Sequence, residues 1–140
     1  MAIYQSQTDS FKVQLLNAQH NFSANTFKIA LYTGNASISN STTAYTTTGE
    51  TSGTGYVAGG NTLVVTVKPT NTGNTAYISF ANTTWNSTTI SANGALIYNS
   101  SFGNASVAVL NFGSTIATQN QAFTINFPVA AANTAIIQIS

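Results

Sequence analysis

From residue 26 onward the chain is a series of short segments rich in β-branched and aromatic residues, each fenced by Gly, Asn, Ser or Pro. The first sets the pattern. Thr26-Phe27-Lys28-Ile29-Ala30-Leu31-Tyr32-Thr33 alternates with period two, placing Phe27, Ile29 and Leu31 on one face and Lys28, Ala30 and Tyr32 on the other. That pattern predicts a half-buried strand. Further strands are predicted over residues 62–68, 75–81, 95–99, 106–112, 121–127 and 134–139. Asn71-Thr72-Gly73-Asn74 and Ser101-Phe102-Gly103-Asn104 separate neighbouring segments at hairpin distance. About seven short strands punctuated by turns predict a mainly β fold, a single antiparallel β-sandwich or barrel-like domain spanning residues 1–140.

One stretch breaks the rhythm before it starts. Over residues 10–19, Phe11, Leu15 and Leu16 recur at helical spacing, with Thr8, Asp9 and Ser10 all competent N-caps. A short N-terminal α-helix is expected there, held by packing more than by its own propensity. The segment from Gly34 to Gly60 shows neither period. A loop this long within a compact domain implies either a task or mobility. Its end, Gly53-Thr54-Gly55-Tyr56-Val57-Ala58-Gly59-Gly60, lacks the Lys and following helix of a phosphate loop and reads as a glycine-permitted turn into a strand. The expected core comprises Phe11, Leu15, Phe27, Ile29, Leu31, Leu63, Val65, Ile78, Phe80, Ile97, Val107, Val109, Phe123, Ile125 and Ile137.

Charge limits the chemistry. Asp9, Lys12, Lys28, Glu50 and Lys68 are the only charged side chains, 4% of the chain where about a quarter is usual. Asn, Ser and Thr supply 55 of the 140 residues, so the surface is amide and hydroxyl. A net charge of +1 gives no field for nucleic acid. Two carboxylates and one imidazole, His20, scattered along the chain make neither a glycosidase pair, a triad nor a metal set, so no enzyme, catalytic residue, metal or cofactor is expected. His20 reads as a hydrogen-bonded residue after the helix. Cysteine is absent, which rules out disulfides. The opening Met-Ala-Ile-Tyr-Gln has no basic n-region and no apolar run approaches about 18 residues, so neither a signal peptide nor a membrane span is expected. The Asn-x-Ser/Thr triplets at Asn35, Asn40, Asn82, Asn86, Asn99 and Asn104 follow from composition. Trp85, Tyr45 and Tyr56 lie in or beside loops, where they would stack on sugars; Trp85 reads more readily as core.

Several stretches together resemble a family of small structural proteins of tailed bacteriophages, many of them marine. They are Phe11-Lys12-Val13-Gln14-Leu15-Leu16 with His20-Asn21-Phe22, the strand 26–33, and Glu50 through Gly60. Phe80 to Trp85, Ala95-Leu96-Ile97-Tyr98 and Val109-Leu110-Asn111-Phe112-Gly113 extend the likeness over nearly the whole chain. The resemblance implies a non-enzymatic virion protein assembled in the bacterial cytoplasm. A capsid decoration or cement protein is the favoured role, present in many copies or as a homo-oligomer, with the major capsid protein as partner. A neck, tail or fibre component and a glycan-binding adhesin head are the alternatives. With so little charge, docking would rest on apolar and hydrogen-bonding contacts from residues 2–7, the Thr-rich loop 41–56 and unpaired strand edges. Ile3, Tyr4, Tyr45, Glu50 and Tyr56 are the expected assembly contacts.

Overall fold

A computed structural model describes residues 2–140. In chain order it contains β1 (Ser6–Gln7), α1 (Asp9–Leu16), β2 (Phe27–Tyr32), β3 (Asn61–Thr62), β4 (Val65–Thr72) and β5 (Thr75–Phe80). There follow β6 (Thr83–Thr88), β7 (Ser91–Asn99), β8 (Ala105–Ala117), β9 (Gln121–Ile125) and β10 (Ile137–Ile139). Three antiparallel sheets result, ordered β1-β8-β7-β2-β3, β10-β5-β4 and β6-β9. The predicted hairpins are present: Thr72 pairs with Thr75 around Gly73-Asn74, and Asn99 pairs with Ala105 around 100–104.

The five-stranded sheet forms one layer. The two smaller sheets and α1 form the other, giving a β-sandwich-like domain. Between them, Phe27, Ile29 and Leu31 of β2 meet Ile97 of β7, Val107 of β8, Ile78 and Phe80 of β5, Trp85 of β6, Phe123 and Ile125 of β9, and Phe11 of α1. Phe22 stacks on Phe27 with ring centroids 4.4 Å apart and nearly parallel planes. Each fully buried Ile, Leu or Phe contributes about 1.5–3 kcal/mol, so the inner faces of β2 and β7 anchor the fold. Of the fifteen expected core residues, thirteen are buried; Leu15 and Val65 pack against the core from its rim.

β2 is not half-buried as its alternation suggested. Ala30 and Tyr32 are as buried as Ile29 and Leu31, because the outer face of the sheet carries a second apolar cluster. Ala30, Tyr32, Leu96, Tyr98 and Val109 there meet Ala36 and Ile38 from the long loop, with Ile3 and Tyr45 at the margin. Residues 34–60 are therefore a lid folded against the sheet, made without strands of their own. Gly60 shows how closely it lies: its φ is +76°, and a Cβ there would collide with the carbonyl oxygen of Ile29.

The helix is shorter than its sequence spacing predicted. Thr8 is the N-cap, its Oγ1 accepting from the Phe11 N–H at 3.3 Å. At the other end Gln19 N–H bonds to Gln14 C=O and Ala18 N–H to Leu15 C=O, with Ala18 at φ 59°. This closure stops the helix before residue 17. Leu16 is consequently 90% exposed rather than part of the stripe. β6 and β1 were not predicted. β6 is Thr-Thr-Trp-Asn-Ser-Thr, with a single large apolar residue. β1 is two residues long and exists because Ser6 and Gln7 pair with Val109 and Ala108.

Candidate functional site

Glu50 is the centre of the most elaborate polar cluster in the chain. It sits in the lid opposite Tyr32, with which it forms a bridge across the edge of β2. Its Oε1 accepts from the Tyr45 hydroxyl at 2.7 Å. Its Oε2 accepts from the Tyr56 hydroxyl at 2.6 Å and from the Gly59 N–H at 2.8 Å. Charge-assisted bonds of this kind are the strong ones. Tyr56 in turn accepts from the Leu31 N–H at 2.9 Å. Tyr45 stacks on Tyr98 at 4.8 Å, and Tyr98 donates to the Gly59 carbonyl at 2.6 Å. Tyr32 donates to the Thr46 carbonyl at 2.6 Å.

These phenols hold their protons firmly. Burial raises Tyr32, Tyr45 and Tyr56 well above the ordinary tyrosine value, and for Tyr45 and Tyr56 the hydrogen bond to Glu50 raises them further. Burial, helped by the charge of Glu50, pushes Tyr98 up to about 12. At neutral pH the four act as hydrogen-bond donors and not as bases or nucleophiles. The cluster's chemistry is that of a clasp, fastening residues 45–60 to β2 and β7.

Of the five expected contact residues, Tyr45, Glu50 and Tyr56 are thus brought together, and they contact each other. Tyr56 is buried; Tyr45 and Glu50 are half-buried. Ile3 and Tyr4 lie apart, where the N-terminal segment runs along Ile38 and β8: Tyr4 N–H bonds to the Ile38 carbonyl, and Asn111 Nδ2 donates to the Ile3 carbonyl. Tyr4 alone of the five is largely exposed, at 64%. Sequence reading missed Tyr32, Tyr98 and Gly59 as partners of the cluster. The one trace in the sequence is that Ala30 with Tyr32 and Leu96 with Tyr98 are apolar or aromatic on the outer face, which does not show what covers them.

A second buried polar network surrounds His20. Its Nε2 faces Gln14 Oε1 at 2.8 Å and its Nδ1 faces Asn99 Nδ2 at 3.1 Å, while Asn99 Nδ2 also donates to Asn25 Oδ1. With Asn99 donating, the proton belongs on Nε2 and the ring is neutral. Burial lowers the His20 pKa. Asp9 is paired with Lys12 at 3.6 Å and accepts from Asn40 Nδ2. Trp85 is buried between Tyr56 and Phe123 and presents no face to a sugar. Among the described residues no three of His, Asp and Glu gather as a metal site, and no helix is long and apolar enough to cross a membrane. No protein-family model, curated protein or solved structure matches the chain.

Proposed function

We propose that the chain is a structural subunit of a tailed-phage virion, a decoration or cement protein that docks on the assembled capsid shell in many copies. The observation that carries this reading is how little charge the surface has to offer. Asp9 and Lys12 neutralise each other and Glu50 is occupied inside the clasp, which leaves Lys28 and Lys68 among 140 residues. Such a surface attaches by shape, apolar contact and amide or hydroxyl hydrogen bonds. Tyr4, Val57, Val64 and Val129 are exposed and could supply the apolar part of such contacts. The folded lid supports the same reading, since a pre-ordered surface loses little conformational entropy on docking. Occupancy on a repeating shell then stabilises it by mass action.

Quantitative mass spectrometry of purified particles, scaled to the major capsid protein, tests this. A copy number matching the shell lattice is expected. A single ring's worth would place the chain on the neck or tail instead, and absence from particles would end the virion reading. Washing particles separates the binding mode: retention in rising salt with release in mild urea is expected, because screening acts only on charge. Release by moderate salt would overturn the uncharged docking mode.

A further inference from the structure

The His20 ring lies where three parts of the chain meet. Residues 17–25, between α1 and β2, carry it. Gln14 of α1 faces its Nε2, and Asn99, the last residue of β7, faces its Nδ1. The rings of Phe11, Phe27 and Phe102 surround it, with centroids 4.9, 6.3 and 5.8 Å away. With Leu15, Phe22 and Tyr77 it also lines an apolar recess of about 280 Å³ beside the β5–β10 pair.

Two backbone N–H groups fix which way the network around it runs. Ser101 N–H donates to Asn99 Oδ1 at 3.0 Å, and Asn21 N–H donates to Asn25 Oδ1 at 2.9 Å. A backbone N–H can only donate. Asn99 must therefore turn its Nδ2 inward, where it meets Asn25 Oδ1 at 2.9 Å and His20 Nδ1 at 3.1 Å. Rotating the Asn99 amide would give His20 an acceptor, but it would leave Ser101 N–H facing a donor and set the Asn99 and Asn25 oxygens against each other. Nδ1 can only accept. A proton on it has no partner in the closed structure, and Asn99 is fully buried.

No charge of the described residues offsets that proton. The ring is faced by Phe11 and Gln14 of α1, Phe27 of β2, Asn99 and Phe102 of the β7–β8 turn and, across the recess, the phenol Tyr77. Asp9 and Lys12 pair with each other on α1, and Lys28 reaches Gly59 on the other face of β2, where Glu50 is also held. Lys68, next to Pro69 of the recess, is exposed and of the same sign.

We infer that His20 is an acid-sensitive latch: proton uptake by the ring shifts residues 17–25 toward a state released from the β7–β8 turn, while the sandwich stays folded. These residues have no strand partner and lie outside the helix. They are tied to the sandwich by Phe22, which stacks on Phe27, and by the bonds of His20 and Asn25 to Asn99. Beside them Thr26 N–H donates to Ser101 Oγ, and Ser100 N–H to the Thr26 carbonyl. The β2–β7 ladder, running from Phe27↔Asn99 to Tyr32↔Gly94, does not depend on these side chains. A segment held by so few contacts opens as a unit before the fold does. Its release uncovers Phe11 and Phe27 and widens the recess. The latch is independent of a virion role.

Hydrogen exchange of the native full chain between pH 7.5 and 5, read as protection factors at several low urea concentrations, tests this. The amides of Asn21, Asn25, Thr26, Ser100 and Ser101 should be less protected than the β2–β7 ladder at every pH and should respond little to urea, as a local opening does. Their protection should fall by about tenfold or more towards pH 5, because opening takes up one proton once pH drops below about 6.5. His20→Gln, which puts a neutral amide in place of the ring, should lose this acid dependence. Protection of the five amides that is constant with pH overturns the latch. So does protection equal to that of the ladder with the same urea response, since the segment would then open only with the whole fold. An acid loss undiminished in His20→Gln overturns it as well. The comparison of segment and ladder in the native chain decides the matter even if the variant fails to fold.

Discussion

The Tyr56 hydroxyl donates to Glu50 Oε2 at 2.6 Å while accepting the Leu31 N–H at 2.9 Å, so one side chain closes a stretch of β2 that β3 is too short to reach. Edge groups left unpaired in a buried place cost as much as a lost hydrogen bond. Here they are met by a phenol that a carboxylate holds in place.

The clasp should therefore behave as a unit. Tyr56→Phe removes two hydrogen bonds and strands the Leu31 N–H, and is expected to cost about 2 kcal/mol. Glu50→Gln keeps the size but turns one acceptor into a donor facing donors, with a similar cost. Since both act on the same bond, the double variant should fall short of the sum by about 1 kcal/mol. Urea unfolding of the four proteins measures this. Strict additivity would mean the two residues stabilise the lid independently.

Stability should also fail at alkaline pH. Tyr32, Tyr45, Tyr56 and Tyr98 have folded pKa values raised above the ordinary 10.0, chiefly by burial. A raised folded pKa means the unfolded chain loses the proton first. The stabilising difference is complete below pH 10 and drains away as pH rises above it. In a Tyr4→Phe/Tyr77→Phe background, which leaves these four as the only phenols, phenolate absorbance during an alkaline titration should thus rise together with loss of β-sheet circular dichroism. Phenolate appearing near pH 10 with the fold intact would refute the buried arrangement.

His20 gives the opposite limb. Its folded pKa is lowered below 6.5 by burial, so the unfolded chain takes up the proton first. Its contribution is whole above pH 6.5 and is lost as pH falls below that value. The cause is geometric as well: protonated Nδ1 would point a hydrogen at the donating Asn99 Nδ2. Melting temperature should decline between pH 6.5 and about 5, above the range where ordinary carboxylates titrate. His20→Gln should flatten that decline. A melting temperature constant over the interval would contradict the neutral, buried ring.

The inner layer was legible because Phe27, Ile29, Leu31, Ile97 and Val107 obey period two in short turn-bounded segments, and local spacing alone decides that pattern. The outer layer was not. Ala30 and Tyr32 read as a solvent face because their cover, residues 34–60, has no period of its own; its burial depends on Glu50 reaching Tyr45, Tyr56 and Gly59. Glu50, Tyr45 and Tyr56 were each singled out from sequence, yet as contacts for a partner, since nothing in linear spacing shows that three loop residues satisfy one another. β6 escaped notice for a related reason: Thr83 and Thr88 are buried by pairing and hydrogen bonding, which hydrophobicity does not register.

How tightly the lid is seated can be tested at two glycines of similar backbone shape. Gly60 has φ +76° and Gly73 has φ +58°, so alanine at either adopts the left-handed region at about 1–2 kcal/mol. Alanine also narrows the unfolded ensemble, which returns about 0.4–1 kcal/mol at both sites. The backbone terms nearly match, and the surroundings do not. Gly73, in the β4–β5 turn, has nothing within 4 Å of an added Cβ, whereas Gly60 would drive its Cβ into the Ile29 carbonyl and the backbone of Ala30. Gly73→Ala is expected to cost no more than about 1.5 kcal/mol. Gly60→Ala should cost more than about 3 kcal/mol, because rigid backbone on β2 cannot move aside without disturbing its pairing with β7. The lid should loosen first: amides of residues 50–60 should exchange faster in Gly60→Ala before the sandwich core opens. Equal costs for the two substitutions would mean that the lid rides well clear of the sheet.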